Sequence, residues 1–216
     1  MRATSSSIIA ATLLAAVIAL TACVCEARLV WTSLELAVRV PEERSKPSTP
    51  AVHARELVHL NEWGTLATTS KAFDGIPYGN IVSFSDGIGL APQNSTGEIF
   101  FYLTKWDSVV PDLAASPRAT LSISQIQEGA SACNGMDVED PTCMKITIVG
   151  RVAPVSKDKE AFALKALFSR HPQMAAWPEG HGFQAYQMNI ETMVLFDYYG
   201  GAKHISPEEY YRVKLA

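Results

Sequence analysis

Five histidines, two central cysteines and one Asn-X-Ser/Thr triplet are the residues whose types could carry chemistry. The histidines are His53, His59, His171, His181 and His204. Helical zinc catalysis needs two histidines one turn apart with a glutamate beside the first, and no H-E-x-x-H run occurs. The G-x-S-x-G nucleophile turn, the Walker phosphate loop and the dinucleotide fingerprint are also missing. Gly87-Ile88-Gly89 is too short for a phosphate cradle and reads as a turn. No cysteine or carboxylate spacing joins His171 and His181 into a metal site, so the histidines are expected on the surface or in loops. Phe100-Phe101-Tyr102 could form a binding platform, but barrel core is the expected role. Trp177, next to Pro178, is expected either over a barrel mouth or at an interface. No residue is assigned to catalysis, to a cofactor or to a metal, and no cofactor is expected.

The remaining chemistry depends on the compartment. The chain opens with Arg2, polar residues and an apolar run from Ile8 to Val24, followed by small residues. That order is a signal peptide over residues 1–27, with cleavage after Cys23, Cys25 or Ala27; the competing reading is an uncleaved anchor helix. No later segment is long and apolar enough to span a membrane, so secretion or a lumenal address is expected, without membrane insertion once the leader is cut. Two cysteines then remain, Cys133 and Cys143. In an oxidising lumen two thiols closing a short loop are expected to pair, contributing about 2–3 kcal/mol. Asn94-Ser95-Thr96 is a glycosylation acceptor between Pro92 and Gly97, so a sugar at Asn94 is expected. The net charge of -4 and the lack of a Lys/Arg block give a nucleic-acid partner no electrostatic support.

These residues need elements to hold them. Residues 28–50, charged and rich in proline from Arg39 to Pro50, read as a flexible lead-in to one domain over 51–216. Apolar spacing predicts a helix near 52–62 and a second at 157–170, the latter capped by Ser156 and stopped by His171-Pro172. A short helix is expected at 108–116, and Ser206-Pro207-Glu208-Glu209 marks another start. Strands are predicted at 63–70, 78–85, 98–103, 120–126, 145–152, 183–189 and 192–199 from alternation and β-branched content. The cysteine loop joins two of them. Six or seven strands, without regular βαβ alternation, point to a mainly β fold: an antiparallel barrel with peripheral helices.

Four separated segments carry a family resemblance. Trp63-Gly64-Thr65-Leu66-Ala67-Thr68, Leu167-Phe168-Ser169-Arg170-His171-Pro172-Gln173-Met174 with Trp177-Pro178, Asp197-Tyr198-Tyr199-Gly200-Gly201, and Ser206-Pro207-Glu208-Glu209-Tyr210-Tyr211 together resemble the CREG family of secreted glycoproteins. The likeness runs from about Ala54 to Val213, and the cysteine pair lies where that family carries two. The resemblance implies the split β-barrel of FMN-binding proteins such as pyridoxamine phosphate oxidase, and a homodimer. Flavin-binding relatives hold the FMN phosphate with Lys and Arg near the short helix after the third strand. Here that segment reads Trp106-Asp107-Ser108-Val109-Val110-Pro111-Asp112-Leu113, with Lys105 the only nearby base. A phosphate needs several charge-assisted donors, so the oxidase fold is expected without its cofactor. Asn189-Ile190-Glu191 lacks the hydroxyl residue of a sequon, a departure from vertebrate relatives that bears on glycan-dependent receptor uptake.

The function implied is that of a non-enzymatic, secreted or endolysosomal glycoprotein acting through a cell-surface or lysosomal sorting receptor to modulate growth, differentiation or lysosomal function. The alternatives are an FMN-dependent oxidoreductase and a protein that binds another small ligand in the barrel cleft.

Overall fold

A computed structural model describes residues 50–129 and 131–216. The signal peptide and nearly all of the lead-in expected above lie outside the described residues. Pro50, assigned to the lead-in, is the first residue of helix α1, Pro50–Leu60. Proline suits that position, because its missing N–H would have no helical partner there.

The strands are β1 (Trp63–Thr69), β2 (Pro77–Gly87), β3 (Ser95–Thr104), β4 (Arg118–Ser124), β5 (Lys145–Pro154), β6 (Phe183–Phe196) and β7 (Lys203–Ile205). The helices after α1 are α2 (Val109–Ala115), α3 (Lys157–Arg170) and α4 (Pro207–Arg212). The sheet order is β3-β2-β1-β4-β5-β6-β7, and β3 also pairs with β6. That extra pairing closes a six-stranded antiparallel barrel and leaves β7 outside the ring. The mainly β barrel with peripheral helices is therefore as expected.

Alternation explains the two cores. Leu66, Phe84, Ile99, Phe101, Leu121, Ile123, Ile146 and Ile148 point inward and fill the barrel, under Leu57 and Val58 of α1 and Tyr210 of α4. Phe100 is one residue from Phe101 and so faces the opposite way. It packs with Ala163, Ala166, Leu167 and Met174 beneath α3, outside the barrel. The aromatic run on β3 thus serves two layers.

Two expectations need correction. Residues 183–189 and 192–199 are not separate strands: β6 is continuous from Phe183 to Phe196. The break in the sequence pattern at Ile190-Glu191 is a bulge, where the register against β5 shifts between Val149 and Gly150. Gly150 permits it, since a Cβ there would lie 2.2 Å from the Asn189 carbonyl oxygen. The strand also stops at Phe196; Tyr198 and Tyr199 stand exposed in the turn that leads to β7, a strand too short to show in the sequence pattern.

Cys133 and Cys143 are bonded, with Cα atoms 4.9 Å apart, in the connection between the antiparallel neighbours β4 and β5. Among the described residues no helix is long and apolar enough to cross a membrane.

Candidate functional site

The histidine expectation fails first at His59. It lies on the inward face of α1 and is 2% exposed. Its Nδ1 is 2.9 Å from Asp86 Oδ1 and its Nε2 is 3.0 Å from the Leu90 carbonyl oxygen. Both ring nitrogens face acceptors, so only the doubly protonated ring can donate to both. The Asp86 hydrogen bond, against burial, raises the His59 pKa above its ordinary value. Burial by itself would raise the Asp86 pKa. The hydrogen bonds from His59 and Ser95, with the charges of His59 and Arg170, outweigh that and hold it below the usual carboxylate range.

Arg170, the last residue of α3, completes the group. Its Nη1 donates to Asp86 Oδ1 at 2.9 Å, and its Nη2 donates to the carbonyls of His59 at 2.7 Å and Asn61 at 3.1 Å. Arg170 therefore caps the C-terminal end of α1, where carbonyls lack helical partners. Ser95 donates to Asp86 Oδ2 and accepts from Arg55 Nη2 at 2.8 Å. The Arg55 guanidinium also lies over the Tyr210 ring, 5.0 Å from its centroid. Gly97, at φ +80°, makes room: a Cβ would lie 2.3 Å from Arg55 Nη1. Two cations thus bond one buried carboxylate, Arg55 joins them through Ser95, and the group ties α1, β2, β3, α3 and α4 together.

The other histidines differ from one another. His53 Nδ1 lies 2.7 Å from Asp197 Oδ2, and Lys203 bonds the other oxygen of that carboxylate. His171 Nε2 sits 2.9 Å from the Phe84 carbonyl oxygen. His204 is exposed. Among the described residues no three His, Cys, Asp or Glu side chains are placed to hold a metal ion.

The corner between β3 and α2 is lined by acid. Asp107 Oδ1 accepts from Asn80 Nδ2 at 2.9 Å and from the Val109 N–H at 3.2 Å, so the first turn of α2 already holds a carboxylate. Asp112 is 2% exposed and accepts from Thr68 Oγ1 at 2.8 Å and from the Lys71 N–H at 2.6 Å. Lys105 turns away, its Nζ 5.9 Å from the centre of the Trp106 ring.

Past this corner lies an aromatic surface. Tyr102 of β3 is 5.1 Å from Phe183 with ring planes 20° apart, and 6.0 Å from Trp177 at 23°. Trp177 and Phe183 are 4.8 Å apart. His181 continues the row, 6.2 Å from Phe183 at 27° and 4.6 Å from Trp106. Thr104 Oγ1 donates to the His181 carbonyl at 2.6 Å and fastens this loop to β3. Tyr102 is therefore not barrel core, and Trp177 belongs to this row.

Asn94 ends a short 3-10 turn, Pro92–Asn94, and is exposed; its amide donates to the Ile88 carbonyl at 3.0 Å. Sequence reasoning missed the buried group. Its one local signal was Arg55 and His59, one turn apart beside Leu57 and Val58 on a helix otherwise read as apolar.

The closed barrel with α3 laid across it is the split β-barrel. The heme binding protein from Mycobacterium smegmatis superposes with a TM-score of 0.62 at 21% identity, covering 78% of this chain and 62% of that one. Campylobacter jejuni ChuZ superposes with a TM-score of 0.58 at 9% identity, covering 77% of this chain and 63% of that one. At such identities the likeness shows the fold alone. Sequence then narrows it. The CREG β-barrel profile matches residues 45–212. Human Protein CREG2 is 42% identical over 168 residues, 77% of this chain and 57% of that protein. Mouse Protein CREG1 is 38% identical over 179 residues, 82% of this chain and 80% of that protein. The chain belongs to the CREG family. It spans little more than half the length of human CREG2. A more distant relative, the Arabidopsis thaliana chloroplastic protein named non-canonical heme oxygenase HOZ, is 27% identical over 184 residues, 82% of this chain and 51% of that protein.

Proposed function

We propose that this chain is a secreted or endolysosomal glycoprotein that forms a homodimer and acts by binding a receptor rather than by flavin chemistry. The observation that carries the reading is the acidic corner between β3 and α2. An FMN phosphate there would meet the Asp107 carboxylate on the first turn of α2, with Asp112 buried behind it. Like charges at a site needing several cationic donors do not suit a phosphate dianion. Asp107 supplies internally the negative charge that a helix N-terminus favours.

The dimer reading draws on the outer face of β1, β2, β4 and β5. By alternation Trp63, Thr65, Ala67, Ile81, Thr120, Ser122, Thr147 and Val149 point outward in its centre, and Arg118, Lys145 and Arg151 point outward at its ends. An uncharged centre with charged residues at its margin is what a twofold interface would bury. The signal peptide, the disulfide and the exposed Asn94 sequon are mutually consistent with a lumenal route.

The test is a titration of the purified full chain with FMN, read as melting temperature and visible absorbance, with mass spectrometry of the peptide that carries Asn94. No flavin absorbance, no stabilisation and a sugar on Asn94 are expected. Tight FMN uptake would overturn the non-flavin reading. A parallel titration with hemin tests the ligand named for two of the similar proteins; a Soret shift would favour a small-ligand role.

A further inference from the structure

We infer that His59 is a proton-operated latch: its doubly protonated ring holds the connection between β2 and β3 against α1 and releases it on losing one proton. The connection runs from Ile88 past the exposed Leu90 to the turn Pro92–Asn94, so the fastened segment is the one that presents Asn94. Three contacts hold it. His59 Nε2 reaches the Leu90 carbonyl oxygen at 3.0 Å, the Gly89 N–H donates to Ser169 Oγ of α3 at 2.8 Å, and Asn94 Nδ2 donates to the Ile88 carbonyl at 3.0 Å. The serine and the asparagine do not titrate near neutral pH; the histidine does.

The bond to Leu90 exists in one charge state only. A neutral imidazole carries a single N–H, and its two nitrogens compete for it. Nδ1 faces the Asp86 carboxylate at 2.9 Å, whereas Nε2 faces an uncharged carbonyl. A hydrogen bond to an ionised acceptor is about twice as strong as one between neutral groups, so the remaining proton stays on Nδ1. The Nε2 lone pair then points at the Leu90 oxygen, and attraction becomes repulsion.

The groups packed around the ring set the direction of the response. Asp86 of β2 favours the protonated ring, and Arg170 at the end of α3 opposes it. Arg55, one turn back on α1, is held by Ser95 of β3. Glu62 stands at the rim, 4.0 Å from Arg170 Nε, and Glu128 accepts from Asn61 Nδ2 at 3.4 Å. Burial pushes the Tyr210 hydroxyl of α4 up, so it stays neutral. The Asp86 hydrogen bond outweighs burial and the Arg170 charge, and keeps the ring protonated above its ordinary 6.5. An acidic lumen therefore keeps the latch shut, and release comes as pH rises through the folded value.

The experiment is amide hydrogen exchange on the full chain between about pH 5 and pH 9, corrected for the intrinsic pH dependence of exchange, with the His59 ring followed by NMR. The reporters are the Gly89 and Asn94 amides, both hydrogen-bonded in the connection. Their protection is expected to fall about tenfold as His59 loses its proton, the effect of losing one hydrogen bond. The Gly75 and Ile76 amides, bonded in the β1–β2 turn, should show no such step. Ser169→Ala, which removes the contact that does not titrate, should lower protection at every pH and keep the step. His59→Gln, neutral throughout, should abolish the step. A flat profile in wild type, a ring that keeps both protons across the range, an equal step at Gly75 and Ile76, or a step that survives in His59→Gln overturns the latch. The wild-type and Ser169→Ala profiles decide the matter even if His59→Gln does not fold.

Discussion

Asp86→Asn tests the buried charge group most directly. The substitution keeps the side-chain shape and removes the one carboxylate that Arg170 and His59 share. Three cationic side chains, Arg55, His59 and Arg170, then lie in the same buried region with no buried counter-charge; Glu62, at the rim, is 4.0 Å from Arg170 Nε. Removing one partner of a buried ion pair costs about 3–5 kcal/mol, because the other charge stays desolvated. In a domain of this size that lowers the melting temperature by about 6–20 °C. The loss should depend on pH. His59, with its raised folded pKa, stabilises fully below its ordinary 6.5 and loses that contribution as pH rises through the folded value. Asp86, with its lowered folded pKa, stabilises above its ordinary 3.8 and loses that contribution as pH falls through the folded value. The wild type should therefore exceed the variant most between those two values. The gap should narrow above them as His59 becomes neutral, without closing, since Arg170 stays charged. Thermal unfolding by circular dichroism at several pH values reads this. A variant within about 2 °C of wild type near pH 5, or a gap that does not change with pH, would refute the reasoning.

Gly97→Ala should cost about 1–3 kcal/mol in urea unfolding, because alanine is strained at φ +80° and its Cβ would press on the Arg55 guanidinium. Replacing Cys133 and Cys143 together by serine should cost about 2–3 kcal/mol, with the barrel intact by circular dichroism, since the bond closes a single β4–β5 connection. Asp112→Ala should cost about 1–3 kcal/mol by chemical denaturation, for it strands the buried Thr68 hydroxyl and the Lys71 N–H. Ser206→Ala breaks the capping box with Glu209 at α4 and should cost about 1 kcal/mol, seen first as faster amide exchange in α4.

Local pattern alone determined much of this protein. Alternation located β1, β4 and β5 to within a residue or two, and helical spacing with Ser156 and His171-Pro172 placed α3 from Lys157 to Arg170. Both follow from periods of 2.0 and 3.6 residues, which neighbouring residues set. The cysteine pairing was also legible, because a short loop leaves little choice. The limits of β6 were not legible. A bulge reads locally as a break, and only the partner β5 shows that pairing resumes beyond it. The candidate sites were least visible. His59, Asp86 and Arg170 lie 27 and 84 residues from one another in sequence, and each by itself reads as an ordinary polar residue. Whether such a group is buried, and in which charge state, depends on what the chain brings across from far away. Tyr102 likewise joins Trp177, His181 and Phe183 because β3 pairs with β6, a contact that no local period encodes.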